Sequence, residues 1–248
     1  MKVLWSWLLE LCDLDRVPTP EEGARALTRG GLEIEAMTDL GAGFSGVVVA
    51  EVVAKQPHPE SAKLTLVDVI TERGGAATRV VCGAPNVPAP GGKVLWAQIG
   101  ARLPNGMTLA ARPVKGIVSP GMLCSEDELG LGGGHEGIVV LDPDDRTALG
   151  APAQRALGLD DWLLEVNAPA NRGDVLGHLG VARELAATLR GTLVPPDADL
   201  SAHRSDAAAR PYRIEIADPE ACPRYTARVI DGVRVGPSPM RIAARLRG

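Results

Sequence analysis

Gly46 to Lys55 reads GVVVAEVVAK, and the class of fold turns on that run. Five valines in ten residues favour a strand, because β-branched side chains lose rotamer freedom in a helix and fit a pleated surface. Four further runs share this grammar: KLTLVDVI (Lys63–Ile70), TRVVCGA (Thr78–Ala84), KVLWAQIG (Lys93–Gly100) and EGIVVLD (Glu136–Asp142). Turn formers separate them: Pro57 and Pro59, Gly74-Gly75, Pro85-Asn86, Pro90-Gly91-Gly92, and Pro104-Asn105-Gly106. Five short strands punctuated in this way predict a small closed barrel, with the oligonucleotide/oligosaccharide-binding (OB) barrel as one form. A β-sandwich is the physical competitor, and strand count alone does not separate the two.

On either side of this region the pattern becomes helical. In TPEEGARALTRGG, Thr19 suits an N-cap, Pro20 the first helical position and Glu22 the acid of a capping box, with Gly30 and Gly31 as the stop. In DVLGHLGVARELAATLRG, Val175, Leu179, Ala182, Ala186 and Leu189 recur at steps of three and four. Asp174 is the expected cap of that helix and Gly191 its end. PPDADLSAHRSDAAARP then has a linker's composition. YRIEIAD and RYTARVIDGVRV look like strands of a further domain.

Composition narrows the chemistry. Aromatic residues make up 3% of the 248, which leaves few rings for stacking on bases. The net charge of −5 argues against a strongly cationic nucleic-acid binder. The charge is uneven, with eight arginines against four acids from Arg210 onward, so the preceding residues carry −9. Cys12, Cys82, Cys124 and Cys222 form no C-x-x-C pair; reduced thiols in a cytoplasmic protein are expected. Glu10 and Asp13 cut short the apolar run at Val3–Leu9, so neither a signal peptide nor a membrane span is read.

The stretch SPGMLCSEDELGLGGGHEG (Ser119–Gly137) poses the sharpest chemical question. Gly132–Gly137 formally fits G-x-G-x-x-G, but its glycines precede a strand, whereas a dinucleotide loop follows one and opens a helix. Cys124 with His135 could form a thiol or metal hydrolase centre, with Cys82 and His58 as further ligands. Zinc sites announce themselves by close ligand pairs, and none occurs here. A buried structural cysteine is the simpler reading. QPHPESAKL (Gln56–Leu64) holds His58 between two prolines, with Lys63 following. A rigid loop presenting both residues at a barrel rim suits a phosphate or RNA contact; an exposed turn is the plain alternative.

HPESAKL, VVCGAPNV, KVLWAQIGARLP and SPGMLCSEDELGL, in that order, resemble the tRNA-binding OB module appended to several aminoacyl-tRNA synthetases. The flanking SWLLEL, GGLEIEAM, EVNAPANRGDVLGHLGVARELAA and ACPRYTARVIDGVRVGPSP narrow the resemblance to the N-terminal part of the bacterial β subunit of phenylalanyl-tRNA synthetase. That resemblance covers essentially the whole chain. It implies that Met122 and Leu123 are packing residues and that Glu128 leads into a turn, so the stretch around Cys124 is structural. It implies also that Asn171, Arg172 and Asp174 hold the turn before the helix. Family members usually carry H-P-x-A-D-[KR]-L, whose acid is Ala62 here, so any contact made by that acid is missing.

The fold class expected is α+β and β-rich. Residues 39–149 form the five-stranded OB barrel, inserted in a small discontinuous α/β domain of residues 1–38 and 150–200. A linker at 195–210 and the incomplete start of an editing-like domain, the B3/B4 part, at 211–248 follow. The resemblance places the site for phenylalanine, ATP and magnesium on a separate α subunit of an α2β2 assembly, with tRNA as the other partner. This chain alone is expected to catalyse neither aminoacylation nor editing and to hold no catalytic residue, metal or cofactor. His58, Lys63, Arg112 and Lys115 are the expected RNA contacts, the last two on the strand before SPGM. Residues 39–149 carry nine Lys and Arg against twelve Asp and Glu, so weak tRNA affinity at physiological salt is expected. A free-standing tRNA-binding protein is the alternative from the binding-module class.

Overall fold

The computed structural model describes residues 1–132, 136–201, 213–236 and 238–247, with nothing stated for the side chains of Arg241 and Arg247. Two compact units emerge: residues 1–194 with 238–248, and residues 195–237.

In the first unit, a small sheet joins distant parts of the chain. β1 (Lys2–Leu4) and β3 (Glu33–Asp39) flank β11 (Trp162–Asn167), both antiparallel to it. Against this sheet lie α1 (Trp5–Glu10), α2 (Pro20–Arg29) and α4 (His178–Thr188). They share a core of Val3, Trp5, Leu8, Leu27, Leu32, Leu164, Val166, Val181 and Leu185. β2 (Cys12–Asp13) and β12 (Thr192–Leu193) form a two-stranded ribbon at its edge. α2 starts as its sequence predicts. Thr19 Oγ1 accepts from the Glu22 N–H, Glu22 Oε2 accepts from the Thr19 N–H, and Pro20 opens the helix.

Between β3 and β11 the chain builds a nearly closed five-stranded antiparallel barrel in the order β10-β7-β4-β5-β6. Its strands are β4 (Ser45–His58), β5 (Ser61–Ile70), β6 (Thr78–Cys82), β7 (Lys93–Arg102) and β10 (Gly121–Leu123). This is the OB-type, β-rich α+β architecture expected. All five strands line the interior, through Ala50, Val52, Val67, Val69, Val80, Cys82, Val94, Trp96 and Leu123. A second core covers the outer wall of β4 and β7. There Val47, Val49, Leu95 and Ala97 meet Cys124, Leu129, Val139, Leu141 and α3 (Ala153–Leu157). Burial on both faces explains why Val47–Ala50 and Val94–Ala97 are continuously apolar instead of alternating. Register shifts within β4, at Ser45/Val47, Val52/Ala54 and Pro57/His58, supply the extra twist that curls its fourteen residues around the barrel.

Five expectations change in detail. The fifth barrel strand is Gly121–Leu123; Glu136–Asp142 contributes only a bridge from Val140 to Val94, its side chains divided between Ile138 on the inner core and Val139 and Leu141 on the outer. Asp174 does not cap α4, whose N-cap is Gly177 without a side-chain hydrogen bond; Asp174 lies in a preceding 3-10 turn, Gly173–Val175. Leu179 is 38% exposed while Val181 and Leu185 are buried, so the apolar stripe is rotated from the one predicted. At the C-terminus of that helix Arg190, not Gly191, takes the left-handed conformation, with φ 60. Finally, the described residues of 195–237 include no strand, and α5 (Met240–Arg247) belongs to the first unit, which separates it from the 211–248 grouping read from sequence.

Candidate nucleic-acid interface

Ser119–Gly132 is a structural seam. Buried Ser119 accepts the Val81 N–H at its Oγ (3.1 Å) and donates to the Gly121 carbonyl (2.8 Å), stitching β6 to the strand that closes the barrel. A Cβ on Gly121 would lie 2.3 Å from Trp96 Nε1 and 2.4 Å from the Ala97 carbonyl, so β10 approaches β7 closely enough to require glycine. Met122 packs on the outer core and Leu123 on the inner one. Ser125 and Glu128 form a reciprocal cap. The carboxylate accepts the Ser125 N–H (2.7 Å) and hydroxyl (2.9 Å), and Ser125 Oγ accepts the Glu128 N–H (3.3 Å).

Thiol chemistry does not fit this seam. Cys124 is fully buried, and that burial, with the Glu128 charge adding to it, pushes its thiol up to about 12. A reactive cysteine needs the opposite shift. His135, its suggested partner, lies outside the described residues. Among the described residues no group of three or more His, Cys, Asp or Glu is placed to hold a metal.

The turn between β4 and β5 differs from its sequence reading. His58 is 3% exposed, so it is not presented at the rim. Its Nδ1 accepts the Glu60 N–H across the turn (3.1 Å), and Nε2 is buried without a partner. Between its flanking prolines the imidazole is folded back onto its own turn instead of being held out. Lys63, at the start of β5, is exposed.

Arg112 is also exposed, on β8 (Arg112–Val114), which pairs with β9 (Ile117–Ser119). Lys115 is not on that strand. It sits in the two-residue turn, exposed, with φ 47, followed by Gly116 at φ 81. Positive φ at both positions marks the type I′ turn whose twist matches a hairpin. Thr65 faces Cys82, Val81 binds Ser119, and Ser119 faces Arg112. Lys63 and Arg112 therefore stand on opposite sides of the C-terminal end of β6. Among the described residues neither these two nor Lys115 makes an ion pair.

Three other cations of the barrel are engaged internally. Arg79 forks onto Asp68 (2.7 and 2.8 Å) and holds that carboxyl below its ordinary value. Lys55 donates to the Val87 carbonyl, and Lys93 to those of Asp145 and Thr147. Sequence reasoning did not single out Arg73, Arg102 and Arg146, which are exposed and without an ion pair among the described residues. It also missed Asn86, whose side chain pairs with both backbone groups of Ile138 (2.8 and 2.9 Å) and ties the outer loop to the barrel. The Pro85-Asn86 turn signal was visible, but nothing in it names a partner 52 residues away.

Beyond the barrel, Asn171 is exposed in a turn. Arg172 forks onto Asp174 (2.9 Å twice) and reaches Glu184 of α4 (2.7 Å). The Arg172 hydrogen bonds hold Asp174 below the usual carboxylate range. Arg172 thus clamps the turn to the helix, leaving its guanidinium committed within the fold.

Residues 47–152 match the family described as "Putative tRNA binding domain". The phenylalanine–tRNA ligase beta subunit of Anaeromyxobacter dehalogenans is 45% identical over 246 residues, which is 99% of this chain and 30% of the relative. Those of Geobacter sulfurreducens and Gloeobacter violaceus are 42% and 43% identical, with the same coverage. Over nearly its whole length the chain is similar to the N-terminal part of phenylalanine–tRNA ligase β subunits. It spans 30% of the length of these curated relatives. A solved structure of a MetRS-related protein from Pyrococcus horikoshii overlaps 44% of this chain and 88% of its own, at 19% identity and a TM-score of 0.30. Among the described residues no helix is long and apolar enough to cross a membrane.

Proposed function

We propose that this portion of a phenylalanine–tRNA ligase β subunit contributes tRNA binding and scaffolding to the ATP-dependent charging of tRNA with phenylalanine. In this reading a partner α subunit in an α2β2 assembly holds phenylalanine, ATP and magnesium, and the setting is the cytoplasm. The observation that carries the reading is the barrel at 47–152, matched to a tRNA-binding domain, with Lys63, Arg112 and Lys115 exposed and free of ion pairs among the described residues. Cations left free are available to displace the counterions of a phosphate backbone. The net charge of −3 over residues 39–149 works against them, so affinity is low and sensitive to salt.

The test is a fluorescence anisotropy titration of labelled tRNA at low salt. Saturable binding that weakens steadily with added salt is expected. No anisotropy change at protein concentrations up to about 100 µM, the weak end of non-specific affinities, would sink the reading. Co-expression with an α subunit tests the scaffolding role, with a stable complex on size exclusion as the expected result.

A further inference from the structure

We propose that the β8–β9 hairpin is the element of the barrel that meets RNA, and that it grips the sugar–phosphate backbone of a double-helical segment, not unstacked bases. This rests on the tRNA-binding reading above and deepens it.

Residues 112–118 are all exposed or half-buried, so the ribbon adds little to either core. It is nonetheless well defined, by three cross-strand pairs and by the buried hydroxyl of Ser119 at its base. Its tip is chemically unusual. The first position of a type I′ turn favours Asn, Asp or Gly, because other side chains crowd the following carbonyl in the left-handed conformation. Lysine occupies it all the same, which places a long flexible cation at the outermost point of the element. Arg112 stands three residues back, roughly 10 Å along the strand, far enough for the two cations to engage separate phosphates. The rung of Pro113 and Val118, the latter 61% exposed, lies on the face of the ribbon opposite to that of Arg112, because neighbouring strand residues point to opposite sides.

Base stacking has no platform here. The only aromatic residues of 39–149 are Phe44 and Trp96; Trp96 is buried in the barrel and Phe44 packs on the outer core. Sequence-tolerant binding of single strands depends on such rings. The A-form minor groove, by contrast, is wide and shallow and displays sugars and phosphates, a surface that a narrow ribbon can lie against.

The experiment compares a duplex RNA of about 16 base pairs, the span of a double-strand-binding module, with a single-stranded RNA of the same composition. Anisotropy titrations across a salt series would use the wild type, the double variant Arg112→Gln/Lys115→Asn, and Lys63→Ala. Asparagine keeps the left-handed turn, so the hairpin still forms. The wild type is expected to favour the duplex by about tenfold. The double variant is expected to bind any duplex sequence about tenfold more weakly, with the slope of log K against log salt shallower by about 2, one for each phosphate no longer engaged. Preference of the wild type for the single strand overturns the proposed mode. A double variant that binds as the wild type does, while Lys63→Ala weakens binding, overturns the hairpin's role and leaves the tRNA-binding reading standing. Absence of any RNA binding by the wild type overturns both.

Discussion

Cys124 sits where β10 leaves the barrel, its N–H bonded to the Leu95 carbonyl and its own carbonyl accepting the Val139 N–H. With its thiol pushed up to about 12, thiolate is scarce near neutral pH, and closed packing bars reagents. Iodoacetamide at about pH 8 is therefore expected to leave Cys124 unmodified in the native protein and to label it once urea unfolds the chain, as peptide mass spectrometry would show. Lys63 is the complementary case of an exposed cation without an ion pair among the described residues. Lys63→Ala is expected to weaken tRNA binding several-fold and to lower the salt slope by about 1; an unchanged slope removes it from the interface. At this scale sequence reading succeeded where a residue's role is local. Glu128 closes on Ser125 three positions away. It failed for His58, because the prolines indicate a rigid turn but not the direction in which the imidazole points.

Among the elements, α2 was legible nearly residue by residue, since its cap, first-turn proline and stop are short-range signals. Thr19→Ala is expected to cost about 1 kcal/mol, the usual worth of an N-cap side chain, seen as a lower urea midpoint with an unchanged m-value. α4 was legible only as a helix. Its start is set by the Arg172 clamp on Asp174 and Glu184, a three-residue arrangement that periodicity does not register. Its first residue, His178, accepts the Leu4 N–H at Nε2 and stacks on Trp7 with ring centroids 4.1 Å apart. Burial holds its pKa below the ordinary value; the Arg245 cation adds to this and Asp161 opposes it. Glu10 also faces the site, paired to Arg245. The unfolded chain accepts a proton at the ordinary value near 6.5, before the folded imidazole does. Stability is therefore full above that value and falls as pH drops through it, until the lower folded pKa is passed. The urea midpoint is expected to decrease between about pH 7.5 and pH 5, and to decrease less in His178→Gln, whose amide oxygen can still accept from Leu4.

For the whole molecule, the barrel was foreseeable because aliphatic strands and turn formers alternate from Gly46 onward. Which segment closes it was not. Three residues, Gly121–Leu123, serve as the fifth strand, too few to carry a pattern. The placement of α5 was hidden for another reason, since its partners lie far back along the chain. The Met240 N–H donates to Asp142 Oδ2 (2.8 Å), Ala244 is buried against Gly158, and Arg245 pairs with Glu10 while its guanidinium lies 4.9 Å from the Trp7 ring centre. A chain ending at Val194 lacks all of these interactions. Its melting temperature is expected to drop by roughly 4–8 °C, the shift that about 2 kcal/mol produces in a domain of this size. An unchanged melting temperature by circular dichroism would show that α5 is bystander and not strap.

The small sheet also has a bearing on biogenesis. β1 pairs with β11, so it finds its partner only after the whole barrel between them has been translated. At synthesis rates of about 5–20 residues per second that wait lasts roughly 8–30 s. Meanwhile Val3, Leu4, Trp5 and Leu8, all buried in the finished protein, remain uncovered on the nascent chain. The barrel can form during that interval from contiguous sequence, which makes it the order-setting step of assembly and the N-terminal strand the segment most in need of a chaperone.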